Sequence, residues 1–204
     1  QPDWTWIKER DDTPDHKLID SVRGVTKTLE SNNTDAEGTL TTGITSFDSD
    51  GFSLGANGST NGSGDLFVSW NWLGANASSS NTDGSITSTV SANTTAGFSI
   101  VTWTAPSSGA NTDTIGHGLS AVPKMIIART RSASDGWRVY HHSVGIDKHG
   151  SLNNTNAFNS NTNIFPTLPT TSIFYPGSDA SINSSSRTYV AYCFAENKGY
   201  SKFG

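Results

Sequence analysis

The chain states nearly the same sequence twice. Pro2 falls on Pro123 when the chain is shifted by 121 residues, and the match then runs without a gap: Lys8 on Arg129, Arg10 on Arg131, Lys17 on Arg138, Gly24 on Gly145 and Lys27 on Lys148. The run Asn32-Asn33-Thr34 falls on Asn153-Asn154-Thr155 and Ala36 on Ala157. After one inserted residue the match resumes, with Gly51–Gly55 on Ile173–Gly177 and Phe67–Trp72 on Tyr189–Phe194. Features kept in both copies concern the fold. Features found in one copy are the candidates for a specific task.

The period limits the architecture. Solenoids and propellers repeat every 20–50 residues or roughly so, whereas this period is the size of a small autonomous domain. The sequence therefore predicts two tandem β-sandwich domains, each with its own core. The first spans 1–74 and lacks an opening strand. A Ser/Thr/Asn-rich connector spans 75–97, and the second domain spans 98–204.

Composition narrows the class. The chain is 33% hydrophobic and only 15% charged, against about 25% charged in an ordinary soluble domain. Its net charge of −5 and its lack of a basic stripe argue against a nucleic-acid partner. No stretch approaches the ~20 apolar residues of a membrane span, so no membrane insertion is expected. One cysteine forms no internal disulfide, and Cys193 in the apolar run Tyr189–Ala195 reads as a buried thiol. No signal peptide is visible. The polar, uncharged, aromatic-rich make-up is of a kind common on secreted and viral proteins.

Helical periodicity is absent, and short β-branched and aromatic runs separated by Gly, Asn, Asp and Ser predict an all-β fold. Strands are expected at Trp4–Lys8, Lys17–Val22, Gly51–Leu54 and Leu66–Trp72, then at Phe98–Thr104, Lys124–Arg129, Trp137–His142, Ser172–Tyr175 and Thr188–Ala195. In Phe98–Thr104, Phe98 and Ile100 share one face while Val101 and Trp103 share the other. Such two-faced strands suit the middle of a sandwich. Ile86–Val90 alternates and predicts a short strand within the connector. Asn153–Asn163 predicts a surface loop anchored by Ile164 and Phe165.

These residues carry a resemblance. The phrases "PDWTWIKERDDTPDHKLIDSVRGVTK", "LTTGITSFDSDGFSLG", "NTDGSITSTVSANTTAGFSIVTWTA", "TIGHGLSAVPKMIIARTRSASDGWRVYHHSVG" and "YVAYCFAENKGYSKFG" resemble a repeat module of tailed-bacteriophage virion structural proteins, especially those of marine phages. The resemblance covers nearly the whole chain. It implies a lectin-like or jelly-roll sandwich on the surface of a virion, as a tail-fibre or capsid component, with a homo-oligomer, other virion proteins and host-surface glycans as partners. It implies no reaction. A secreted carbohydrate-binding module and a glycan-degrading tail enzyme are the rival readings.

The residues offer little chemistry. His117, in Gly116-His117-Gly118, could be a ligand or a base, or could hold a turn. His141 and His142 end a strand and point to opposite faces, which discourages a shared metal. The acidic runs Glu9–Asp12 and Asp48–Asp50 lack the spacing of a calcium loop. No serine is placed in a strand–turn–helix context, and the carboxylates of the second copy are scattered rather than opposed across a sugar. No catalytic residue, metal or cofactor is expected. Trp137 has His16 as its counterpart in the first copy, so it is the candidate exposed aromatic for a glycan, with His117 and His141 beside it as candidate ligand-binding residues. The tail residues Tyr200, Ser201, Lys202 and Phe203 read as an extra assembly strand. The first copy, one strand short, is expected to be completed by this tail, by a neighbouring subunit or by residues upstream.

Overall fold

The computed structural model describes residues 1–106 and 109–204. The first copy contributes β1 (Trp4–Glu9), β2 (Lys17–Asp20), β3 (Lys27–Thr28), β4 (Gly38–Thr39), β5 (Ile44–Asp48), β6 (Gly51–Leu54), a single helical turn α1 (Gly58–Asn61) and β7 (Phe67–Trp72). Then follow β8 (Ser79–Asn81), β9 (Ser88–Asn93), β10 (Phe98–Thr104) and β11 (Ile115–Gly116). The second copy contributes β12 (Pro123–Thr130), β13 (Arg138–His141), β14 (Lys148–His149), β15 (Asn159–Ser160), β16 (Ile173–Phe174), α2 (Ala180–Asn183) and β17 (Thr188–Ala195). The fold is all-β, built of antiparallel sheets.

The repeat reaches the level of register. In the first copy Trp4 pairs with Asp20 and with Trp72, and Glu9 pairs with Phe67. In the second, the corresponding Met125 pairs with His141 and Phe194, and Thr130 with Tyr189. The bridge Leu18–Leu29 recurs as Val139–Gly150, and the pairing of Lys27 with Thr39 as Lys148 with Ser160. Small devices recur too. Asn32 Oδ1 accepts the His16 backbone N–H at 3.1 Å, and Asn153 Oδ1 accepts that of Trp137 at 2.9 Å. Asn57 caps α1 through Ser59 as Asp179 caps α2 through Ser181, each satisfying a helix-start N–H.

The copies differ in how far their sheets extend. The first makes a three-stranded sheet, β2-β1-β7. The second makes the corresponding β13-β12-β17 and runs on through β10, β9 and β8 to six strands. The sheets meet through equivalent faces. Trp4, Leu18 and Leu29 of the smaller sheet and its flanks pack with Ile127, Val139, Val190, Tyr192 and Phe194 of the larger, and with Phe98 and Ile100 of β10. Trp4 stacks on Tyr192 at 4.0 Å and on Trp72 at 4.2 Å between ring centroids. The outer faces are covered separately. Ile7, Ile19 and Ile44 pack with Phe47, Phe52 and Phe67 under the β5-β6 hairpin. At the matching positions Ala128, Tyr140, Phe165, Phe174 and Tyr189 sit in the largest cluster.

The central cluster therefore crosses the boundary expected between two domains. The physical reason is area: a three-stranded sheet of this size must bury both faces, and the face holding Trp4 finds its cover in the other copy. The expected connector is likewise structural. Ser79–Asn81 and Ser88–Asn93 form β8 and β9, and Ile86 makes a parallel bridge to Ile115. The chain thus turns residues 75–97 into the far edge of the larger sheet.

Candidate functional site

Two places bring polar or aromatic side chains together. The first lies where the loop after β3 meets β12. Arg129 is fully buried and donates to the carbonyls of Glu30 at 2.8 Å, Asn33 at 3.1 Å and Asp35. The Trp137 indole N–H donates to the same Glu30 carbonyl at 2.8 Å, and the guanidinium lies 5.3 Å from the Trp137 ring centre. Burial pushes the Arg129 pKa down, against the pull of Asp35 and Glu30. Nearby, Arg23 donates to Asp20 at 2.5 Å, to the Tyr192 hydroxyl at 3.1 Å and to Glu37 at 3.1 Å, and Arg131 clamps Glu37 from the other side. Burial opposes the Arg23 charge, but Asp20, Tyr192 and Glu37 together raise its pKa. Burial raises the Tyr192 phenol well above its ordinary value, so it stays protonated and donates to Asp20 at 2.8 Å. Apart from the buried Arg129 Nε–H, which has no partner among the described residues, the charged groups of this network bind the opposite copy or their own turn. It is a structural joint between the copies.

The second place is open. A groove of about 610 Å³ lies at one end of the interface between the sheets, and its lining is mainly apolar. Trp4, Trp6 and Trp72 form one wall, Phe98, Met125, Ile127 and Phe194 the other, and Tyr200 and Phe203 of the tail lie at its mouth. Its rim carries Asn93, Thr95 and Asn197, whose amides are held in place: Asn93 Oδ1 accepts from Ala96 N–H at 2.9 Å and the Asn197 amide donates to the Thr95 carbonyl. The groove forms because β1 and β7 set Trp4 and Trp72 on one face by alternation. The second copy answers with Phe194 where the first has Trp72. The Trp4 indole N–H is buried and has no hydrogen-bond partner among the described residues. The size falls within the range of small-ligand sites, and the lining suits flat apolar faces such as a pyranose ring or an aromatic side chain.

The residues singled out from sequence lie elsewhere. Trp137 is fully buried, not exposed, because its indole anchors the Glu30 carbonyl and its ring lies over Tyr192 at 6.4 Å. His117 is also fully buried. Its Nε2 lies 3.2 Å from the Thr170 carbonyl and its Nδ1 accepts from Leu119 N–H at 3.2 Å, which fixes the turn before β12. Burial lowers its pKa, against the Thr170 contact, so the ring is neutral. His141 is half-buried at the end of β13. Its Nδ1 lies 2.7 Å from Ser143 Oγ and accepts the Ser143 N–H at 3.4 Å, closing a turn. The three are not brought together. Within the chain the tail Tyr200–Phe203 is not an added strand: Ser201 bridges back to Asn197 in a tight turn, and Phe203 packs on Phe194 while its carbonyl meets His142. Lys202 is exposed. No group of three His, Cys, Asp or Glu side chains gathers among the described residues. Asp11, Asp12 and Asp48 accept hydrogen bonds from neighbouring backbone or hydroxyl groups.

The groove's aromatics were legible only as core. Trp72 and Phe98 lie in strands where burial is the ordinary expectation, and nothing in their spacing shows that the sheets part beside them. A signal does exist in the parity of Val68, Trp70 and Trp72, which puts two indoles on one face of an edge strand.

One comparison with known proteins succeeds. A family model described as a domain of unknown function, DUF7483, matches residues 1–204. The chain belongs to the DUF7483 family. The match takes in both copies as one unit. No curated protein matches, and no solved structure does.

Proposed function

We infer that this DUF7483 chain is a non-enzymatic structural and adhesive module of a phage particle, a tail-fibre or capsid-surface component that holds a planar apolar group, such as a host-surface glycan, in its aromatic groove. The single observation that carries the adhesive role is the groove itself, where three indoles and three phenyl rings surround an open volume of about 610 Å³ with amides fixed at its rim. Aromatic walls with a few oriented polar groups are how a protein grips a sugar without transforming it. The placement on a particle is supported by the sequence resemblance, together with low charge and a two-copy sandwich that is stiff across its joint. The finer assignment of a lectin-like or jelly-roll sandwich belongs to the same reading.

A free carbohydrate-binding module would use the same groove, so the two readings part on location. Immunogold labelling of purified particles places the chain on tail or capsid under the first reading and leaves particles bare under the second. Glycan-array binding lost on Trp6→Ala or Trp72→Ala, with the fold retained, supports the groove. Binding that survives both changes removes it as the contact site. Release of reducing sugar from a bound glycan overturns the non-enzymatic reading.

A further inference from the structure

The internal repeat makes a comparison within one molecule. In the second copy β17 is paired on both sides, by β12 and by β10. In the first copy the corresponding β7 is paired, among the described residues, only by β1. The consequence is visible in burial: Tyr192 is fully buried, and its counterpart Trp70 is 46% exposed. Leu66 and Leu73, at either end of β7, are 55% and 44% exposed. The outward backbone groups can be named. Trp72 and Leu66 turn their carbonyls to the β1 side, accepting from Asp3 and Arg10. By alternation Phe67, Ser69 and Asn71 present their N–H and C=O groups outward. Edge strands are normally blunted by charge, proline, a bulge or brevity. The other edges follow that rule, since β8 is short and polar and β13 is short and carries Arg138. Strand β7 is six residues long and contains neither charge nor proline.

We propose that the free edge of β7 takes up a single extended strand from another polypeptide, running antiparallel, uncharged, and apolar at alternate positions as β10 is. The occupant is read from β10, which fills the same edge in the second copy with Phe98 opposite Phe194, Ile100 opposite Tyr192 and Thr102 opposite Val190. On β7 the same register sets those positions opposite Trp72, Trp70 and Val68. Ser99, Val101 and Trp103 then exchange hydrogen bonds with Asn71, Ser69 and Phe67. The chain's own tail is not this strand, since it packs at Phe194. A second copy offering its own β7 meets an obstacle. Trp72 lies over Phe98 of β10 at 6.2 Å, and the larger sheet continues past that point through β9 and β8. A lone strand needs only the space beside β7, whereas a second sandwich must also clear that extension. This inference stands on pairing geometry and does not depend on the groove binding a glycan.

The full chain is mixed with a synthetic peptide of the β10 sequence, Gly97–Ala105, methylated at the Ile100 and Thr102 nitrogens, which face away from the β17 side, to prevent self-association. Amide exchange of Ser69 and Asn71 is expected to slow about tenfold or more at ~1 mM peptide, with a blue shift of the Trp70 emission. A peptide methylated at Ser99 and Val101 instead removes the very donors that face β7 and is expected to give no protection. Ser69→Pro in the chain, which removes an outward N–H and, within the chain, only the exposed bond from the Asn71 amide to Ser69 Oγ at 3.1 Å, is expected to abolish protection at Asn71 while leaving thermal unfolding within a few degrees. Equal protection by both methylated peptides, protection confined to other strands, or no protection at all overturns the proposal. So does a dimer in light scattering whose β7 amides are already protected without peptide, because a second copy is then the occupant.

Discussion

At the residue scale the joint between the copies depends on one cation. Lys8 and Arg129 occupy matching positions, yet Lys8 reaches only the carbonyls of its own segment, Glu9 and Asp12, while Arg129 crosses to three carbonyls of the other copy. The guanidinium's fork of donors suits three acceptors at once, which an ammonium cannot match in that plane. Arg129→Met is expected to cost about 2–3 kcal/mol in denaturant unfolding, because charge-assisted bonds are lost and carbonyls are left bare. Lys8→Met is expected to stay within about 0.5 kcal/mol. Histidine protonation gives a second test. Burial holds His117 below its ordinary value of 6.5, and His16 and His149 are shifted the same way, also chiefly by burial. As pH falls through 6.5 the unfolded chain binds these protons before the folded one, so stability drops below that pH. Glu37 adds to the loss at lower pH: burial opposes its charge, but Arg131 and Arg23 hold its pKa below 4.5. Urea midpoints measured from neutral pH to about 5 should fall for the parent chain and fall less for His117→Gln.

At the element scale, turns kept in both copies mark where the backbone has no alternative. Gly24 and Gly145 follow β2 and β13 at matching positions, with φ of +105° and +86°. No neighbour crowds either one within 4 Å, so the constraint is conformational and not steric. An L side chain at such φ costs about 1–2 kcal/mol. Gly24→Ala and Gly145→Ala should each destabilise the chain by that amount, and asparagine at either position should cost less. If alanine proves neutral at both, the turn has another conformation open to it.

At the scale of the whole molecule, the copies are joined by the Trp4–Tyr192 stack, the Arg23–Asp20–Tyr192 network and the Arg129 crossing, so they should unfold together. Calorimetry is expected to give one transition whose measured and van't Hoff enthalpies agree. Trp4→Ala, which opens a cavity on the first copy's side, should lower that whole transition by about 3–5 kcal/mol rather than melt half of the chain early. Two resolved transitions would restore the picture of two independent domains. Cys193 gives an independent reading. It is fully buried on β17, and burial pushes its thiol up to about 12. Labelling by a thiol reagent should therefore proceed only through opening of the larger sheet, at the rate of global unfolding and in step with loss of fluorescence.

The sequence by itself determined the repeat and nearly everything that acts locally. Strand positions followed from alternation, as with Phe98 and Ile100 on one face of β10 and Val101 and Trp103 on the other. Matched residues such as Gly24 with Gly145 and Asn32 with Asn153 marked positions that both copies keep, and the structure shows what they hold there, a turn and a side-chain acceptor. The two-residue strands β14 and β15, and β5 with Phe47, left too little pattern to be seen. What lay beyond reach was which face meets which. In the sequence Trp137 is the candidate exposed aromatic, and Trp70 lies within a strand run where packing is the ordinary expectation. Tertiary structure buried the first under the loop of the opposite copy and left the second open on β7, the edge strand of its sheet. Burial depends on what arrives from elsewhere in the fold, and a residue's own neighbours in sequence carry no record of that.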